Sequence, residues 1–169
     1  TTSWESILDH TSLLVAFGGI PLKNGHINQG GVGSHKQRDY LKKASAKGVK
    51  FINVSPLKSD LEIAKNVEWV SLKPNTDVAL ILSLCYEINK VKATKKNFID
   101  KYTVGFEQFS AYLNGHTDGV IKNANWASRI TGISKETIFD LVRKIKNSKR
   151  TMISVSWSLT RQSHGEQPY

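Results

Sequence analysis

The sequence predicts an α/β fold, a three-layer sandwich built on a mainly parallel, doubly wound (Rossmann-like) sheet. Three observations lead there. Short apolar runs that end in Gly, Ser or Pro alternate with segments of helical period. The first two runs bracket one such segment, as a strand, helix, strand unit does, and no internal repeat breaks the alternation. In a parallel sheet the strands share one carboxyl end, and ligands bind outside it.

The elements follow in order. LLVAF (13–17) is a buried strand ending at Gly18-Gly19, and VKFINV (49–54) is a second, ending at Ser55-Pro56. Between them, residues 34–47 place Tyr40, Leu41 and Ala44 among charges and stop at Gly48, which predicts a helix with a Gly end signal. EWVSL (68–72) supplies a third strand before Pro74, and residues 77–89 (DVALILSLCYEIN) are apolar almost all round, as a helix buried against a sheet would be. Helical segments are then expected at 95–102, 106–113, 124–131 and 134–147. In the last, Ser134 and Thr137 form a weakened capping box, and Ile138, Leu141, Val142 and Ile145 share one face. RTMISVS (150–156) is the fourth strand, with Trp157 at its carboxyl end.

A length of 169 residues suits a single domain over 1–169, and 39% hydrophobic with 22% charged residues describes a globular chain rather than a disordered or collagenous one. Cys85 is the only cysteine, which excludes a disulfide within the chain and a zinc site of several thiolates, and its neighbours place it in the core. No apolar run approaches the roughly 18 residues of a membrane-spanning helix. The net charge is +10, from 24 Lys+Arg against 14 Asp+Glu. It favours a polyanion, whether nucleic acid, acidic lipid or a phosphorylated cofactor, although the same lysines and arginines also suit solvated helix faces.

The chemistry gathers at the strand ends. Phe17-Gly18-Gly19-Ile20-Pro21-Leu22-Lys23-Asn24-Gly25 is neither a Walker loop nor G-x-G-x-x-G; its glycines allow positive φ and close approach of backbone to a ligand, and Lys23 can meet an anion. Gly30-Gly31-Val32-Gly33 reads as a linker. Ser55-Pro56-Leu57-Lys58-Ser59-Asp60 offers hydroxyls and an ammonium where ribose and phosphates lie in doubly wound folds, or else an ordinary turn with Ser59 as a cap. Within Lys73-Pro74-Asn75-Thr76-Asp77, Thr76 or Asp77 caps the next helix, or the Asp77 carboxylate accepts from a purine's ring N–H and exocyclic amine. Trp157, Arg161, His164 and Glu166 crowd the end of the fourth strand, as an active site would or as a helix start with one packed Trp would. Gly18, Ser55, Asn75 and Trp157 are all expected toward one edge of the sheet.

In this order and spacing, FGGIPLKN, FINVSPLKSD, PNTDVALILSL, FIDKYTVGFEQFSAYLNGHTDGVIKNANWASRITGIS and SWSLTRQSHGEQP closely resemble the dimethyl sulfoxide reductase family, and within it the biotin sulfoxide and trimethylamine N-oxide reductases. The resemblance implies a molybdenum oxidoreductase that uses the bis(molybdopterin guanine dinucleotide) cofactor to remove oxygen from an S-oxide or N-oxide. It implies that Phe17, Gly18, Gly19, Ile20, Pro21, Lys23, Asn24, Ser55, Pro56, Lys58, Ser59, Asn75, Thr76 and Asp77 hold one guanine dinucleotide. Trp157 and Arg161 match positions near the metal, with Arg161 suited to polarising the oxide oxygen. Other family branches carry Gly or Gln where Asn75 stands. The family's metal-ligating serine and the domain holding the second dinucleotide have no counterpart in this sequence, so the resemblance assigns it no metal ligand and implies an internal fragment, inactive alone. Implied partners are the parent enzyme's other domains, a small oxide substrate and an electron donor protein, in a bacterial cytoplasm or periplasm.

Two other classes compete. A basic nucleic-acid-binding module requires Lys/Arg and aromatics interleaved on one exposed surface, whereas Trp4, Trp69, Trp126 and Trp157 are scattered and mostly belong to buried patterns. A non-catalytic nucleotide-binding domain would keep Asp77 and need neither Trp157 nor Arg161.

Overall fold

The computed structural model describes residues 2–26, 34–62, 65 and 67–161. The Gly30-Gly31-Val32-Gly33 linker, His164 and Glu166 lie outside the described residues. The chain divides into two compact units, Thr1–Pro74 with Ser148–Tyr169, and Asn75–Asn147.

The first unit contains a four-stranded, all-parallel sheet made of β1 (Leu13–Phe17), β2 (Lys50–Val54), β3 (Val67–Val70) and β4 (Thr151–Val155), in the order β3-β2-β1-β4. Every residue of LLVAF is buried, as a central strand covered on both faces requires. The edge strands are more polar or more open: β3 carries Glu68 and the 40% exposed Trp69, and Ile153 of β4 is 53% exposed. Register pairs Leu14 with Phe51 and Ala16 with Asn53. Leu14, Ala16 and Phe51 join Ile7 of α1 (Trp4–His10) and Leu41 and Ala44 of α2 (Gln37–Ala46) in one hydrophobic cluster. Leu13, Val15, Phe17, Ile52 and Val54, on the opposite face, are buried as well. Each large apolar side chain removed from water in this way contributes about 1.5–3 kcal/mol.

Helix α2 starts three residues later than the apolar spacing predicts and ends as expected. Gly48, at φ +87°, donates to Ser45 O and Val49 donates to Ala44 O, which closes the helix with a Schellman turn. Helix α1 was not expected. Ser3 Oγ accepts from Ser6 N at 3.2 Å, Trp4 stacks on Tyr40 with centroids 5.7 Å apart, and Ile7 enters the core.

The second unit is helical: α3 (Asp77–Lys90), α4 (Lys96–Tyr102), α5 (Phe106–Leu113), α6 (Ala124–Thr131) and α7 (Lys135–Asn147). Helix α3 packs against α5, α6 and α7 and buries Ala79, Leu80, Ser83, Leu84 and Glu87, a stripe of helical spacing. The Glu87 carboxylate accepts the Ala124 N–H at 3.0 Å, giving the first amide of α6 a partner it lacks within the helix. Lys122 is 2% exposed, held by Asp118 at 2.6 Å and by the Val120 carbonyl, with its ammonium 4.3 Å from the Tyr112 ring centroid. The Ser134 hydroxyl accepts from Thr137 N at 3.1 Å, so the expected cap forms. Cys85 is half-buried rather than a core residue, and desolvation pushes its thiol up, which makes it a poor nucleophile. No described helix is long and apolar enough to cross a membrane.

Candidate functional site

In the first unit, parallel strands bring three segments to one carboxyl edge: the glycine loop after β1, the Ser55–Asp60 turn after β2 and the Trp157 segment after β4. Gly18, Ser55 and Trp157 therefore share an edge, as expected. Asn75 opens the second unit.

Gly18 and Gly19 adopt φ of +78° and +69°. A Cβ on Gly18 would stand 2.5 Å from Ser156 Cβ, and one on Gly19 would stand 2.4 Å from Asp60 Cβ. The close approach these glycines permit is thus to the protein's own neighbouring loops. Gly18 N donates to Val54 O at 2.8 Å, and Ile20 N donates to Asp60 O at 2.8 Å. Beyond them, Gln37 Nε2 holds the carbonyls of Ile20 and Pro21 at 3.3 and 3.2 Å, and a short 3₁₀ turn leaves Lys23 and Asn24 exposed. Phe17 is buried, while Ile20 and Pro21 are half-buried.

Ser55 is 1% exposed, and its hydroxyl donates to Asp60 Oδ2 at 2.5 Å and accepts from Leu57 N at 3.3 Å. The residues after it turn outward: Pro56, Lys58 and Ser59 are exposed. Ser59 does not cap the 3₁₀ turn at Lys58–Leu61; Leu57 occupies the cap position there without a side-chain bond. Lys58 and Ser59 line an open pocket of about 660 Å³ with Leu61, Glu62, Val67 and Trp69, whose indole N–H donates to Ser55 O at 2.9 Å.

After β4, Ser156 N donates to Phe17 O at 2.9 Å, and Ser156 Oγ accepts from Ser158 Oγ at 3.1 Å. Leu159 anchors this segment in the core, leaving Trp157 68% exposed and Arg161 at the surface. Two of the four tryptophans, Trp69 and Trp157, are therefore exposed, contrary to the expectation of mostly buried patterns. An exposed indole and a guanidinium on a short 3₁₀ turn suit recognition of a polar, oxygen-bearing ligand better than core packing.

In the second unit, Asn75 is exposed at φ +64°, a left-handed conformation that Asn tolerates better than most residues. Thr76 is the cap position of α3, and its side chain makes no cap bond. Asp77 is 8% exposed, and burial pushes its carboxyl up, partly offset by its own backbone N–H. Such a group gains most from a ligand that presents N–H donors. No group of three or more His, Cys, Asp or Glu that could hold a metal ion occurs among the described residues.

Sequence reasoning passed over Asn53, Asp60, Gln37 and Trp69, which shape these loops. Asn53 carried a readable signal, being the one polar residue within the buried part of FINV.

A family model described as molybdopterin oxidoreductase matches residues 1–169. Biotin sulfoxide reductase of Cereibacter sphaeroides is 42% identical over 165 residues, covering 98% of this chain and 22% of that protein. Trimethylamine-N-oxide reductase of Haemophilus influenzae is 38% identical over 168 residues, covering 99% and 20%. Dimethyl sulfoxide/trimethylamine N-oxide reductase of Rhodobacter capsulatus is 36% identical over 168 residues, with the same coverage. The chain thus spans about a fifth of the length of these relatives. Acetylene hydratase from Pelobacter acetylenicus shares the fold, with a TM-score of 0.71 at 22% identity over 94% of this chain and 20% of that one.

Proposed function

Because the chain belongs to the molybdopterin oxidoreductase family, and that family implies a molybdenum–molybdopterin cofactor, we propose that it is the segment of a larger S-oxide or N-oxide reductase that holds one guanine dinucleotide of a bis(molybdopterin guanine dinucleotide) cofactor. The observation that carries this reading is the convergence of three loops on one carboxyl edge of the sheet, with Lys58, Ser59, Trp157 and Arg161 turned outward.

The chemistry of these groups fits such a ligand. Lys23 and Lys58 supply positive charge, and Ser59 a hydroxyl, for a pyrophosphate and its ribose. Phe17 to Pro21 and Pro56 shape the two loops, with Ser55 inside the second. Asn75 and Thr76 set the turn before Asp77, whose carboxylate would accept from guanine's N–H groups. Bound molybdenum supplies the two-electron chemistry of oxygen-atom transfer. Trp157 walls the substrate pocket, and the Arg161 guanidinium donates to the oxide oxygen and draws electron density toward it. The partners would be the rest of the parent enzyme, a small oxide substrate and an electron donor protein.

The test is the composition and activity of the full-length protein made in a host that synthesises the cofactor. We expect molybdenum, two equivalents of GMP per molybdenum after acid hydrolysis, and reduction of biotin sulfoxide, trimethylamine N-oxide or dimethyl sulfoxide with a reduced viologen dye. Purified protein free of both molybdenum and GMP would overturn the proposal.

A further inference from the structure

Asn53 is completely buried in the fourth position of a strand that is otherwise apolar wherever it is covered. Its Oδ1 has no hydrogen-bond partner, so a valine here would suit the strand better and avoid the cost of a buried orphan acceptor. What Asn53 supplies lies beyond the strand: its Nδ2 donates to the carbonyls of both Leu57 and Lys58 at 3.2 Å. Two residues later Ser55, also buried, spends its hydroxyl on Asp60 Oδ2 at 2.5 Å and on the Leu57 amide. Asp60 in turn accepts the Ile20 N–H on its carbonyl at 2.8 Å, and its Cβ fills the space beside Gly19. The contacts run without interruption from β2 through its own turn to the loop that leaves β1.

We propose that Asn53, Ser55 and Asp60 form a latch that fixes the Ser55–Asp60 turn and the Gly18–Asn24 loop as one preorganised cradle for the cofactor's phosphates. The phosphate role rests on the reading given under Proposed function. The three are positioning residues. They present no group to the ligand, and they act by fixing the main chain that carries Lys58 and Ser59 and by tying it to the loop that carries Lys23. Order already present before binding is order that the ligand does not have to impose, so the latch raises affinity mainly by slowing release. It also accounts for the inward-facing Ser55, whose hydroxyl acts through Asp60.

Residue-resolved hydrogen exchange of the full-length protein stripped of cofactor reads the latch directly, because the Ile20 amide is protected by Asp60 while Leu14 to Phe17 are protected by the sheet. Ser55→Ala and Asp60→Ala should each speed exchange at Ile20 by at least about fivefold, the effect of losing one net hydrogen bond, with β1 unchanged. Asp60→Asn, which keeps an acceptor for Ser55, should restore protection. Because Asn53→Ala risks misfolding through its buried site, Ser55→Ala and Asp60→Ala carry the test. Loaded Ser55→Ala protein should also lose molybdenum faster on dilution. Unchanged exchange at Ile20 in both alanine variants would overturn the latch. Faster exchange with wild-type molybdenum retention would overturn its positioning role. A full-length protein that never acquires cofactor would instead sink the functional reading, while the exchange data would still decide whether the two loops are joined.

Discussion

Gly18 and Ser156 meet so closely that a single methyl group on Gly18 would lie 2.5 Å from Ser156 Cβ, well inside van der Waals contact. These residues follow directly after adjacent parallel strands, and Ser156 N also donates to Phe17 O, so the glycine loop and the Trp157 turn are packed as neighbours at the sheet's carboxyl edge. The glycine is needed twice, for its φ of +78° and for that missing methyl.

Gly18→Ala should therefore destabilise the protein by about 2–4 kcal/mol, combining backbone strain with overpacking. Chemical denaturation checks this. Gly48→Ala serves as the control, since it shares the positive φ but has nothing within 4 Å of the added Cβ, and should cost clearly less.

Asp77 gives a prediction with a definite sign. Burial raises its carboxyl above the ordinary aspartate range, so the folded state binds this proton more tightly than the unfolded state does. The associated stability is present at pH values below the unfolded pKa and is lost as pH rises through the raised folded value. Asp77→Asn removes the ionisation. In cofactor-free protein it should raise the melting temperature at pH 7, by on the order of 1–3 °C, and leave it unchanged or lower at acid pH. Calorimetry at the two pH values measures both arms.

How much of this was legible depended on where the signals sit. Helices α5 and α6 fall at the expected residues because glycines mark their limits: Gly105 precedes α5 at φ +81°, and Gly132 ends α6 at φ +78°. Strand β1 was legible because a central parallel strand is apolar throughout. Helix α1 had its cap, Ser3, and apolar residues at 4, 7 and 8, but seven residues are too few for a period to stand out. The loops of the candidate site were legible as strand ends. The direction of each side chain was not, because Ser55 turns inward through Asp60 and Lys58 turns outward through Asn53, contacts that exist only once the turn has folded. Trp157 and Cys85 make the same point: apolar neighbours in sequence did not decide burial.

Arg161 is exposed on the turn after β4 and is proposed to touch the substrate oxygen. Arg161→Ala in the full-length enzyme should lower oxide reduction by roughly ten- to a thousandfold, the range seen when an oriented donor is removed from a transition state, while molybdenum content falls little. Lys should restore only part of the activity, because it lacks the planar fork. Wild-type turnover in the alanine variant would remove Arg161 from the substrate pocket.

The most direct test of cofactor holding by this chain is molybdenum per polypeptide in purified full-length Asp77→Ala protein, measured beside wild type after identical dilution. Losing a charge-assisted partner for guanine should cost about 1.5–3 kcal/mol, so loading should fall by roughly ten- to a hundredfold under limiting cofactor while the fold stays intact. Wild-type molybdenum in that variant, at unchanged thermal stability, would contradict the assignment and leave Asp77 as nothing more than the first residue of α3.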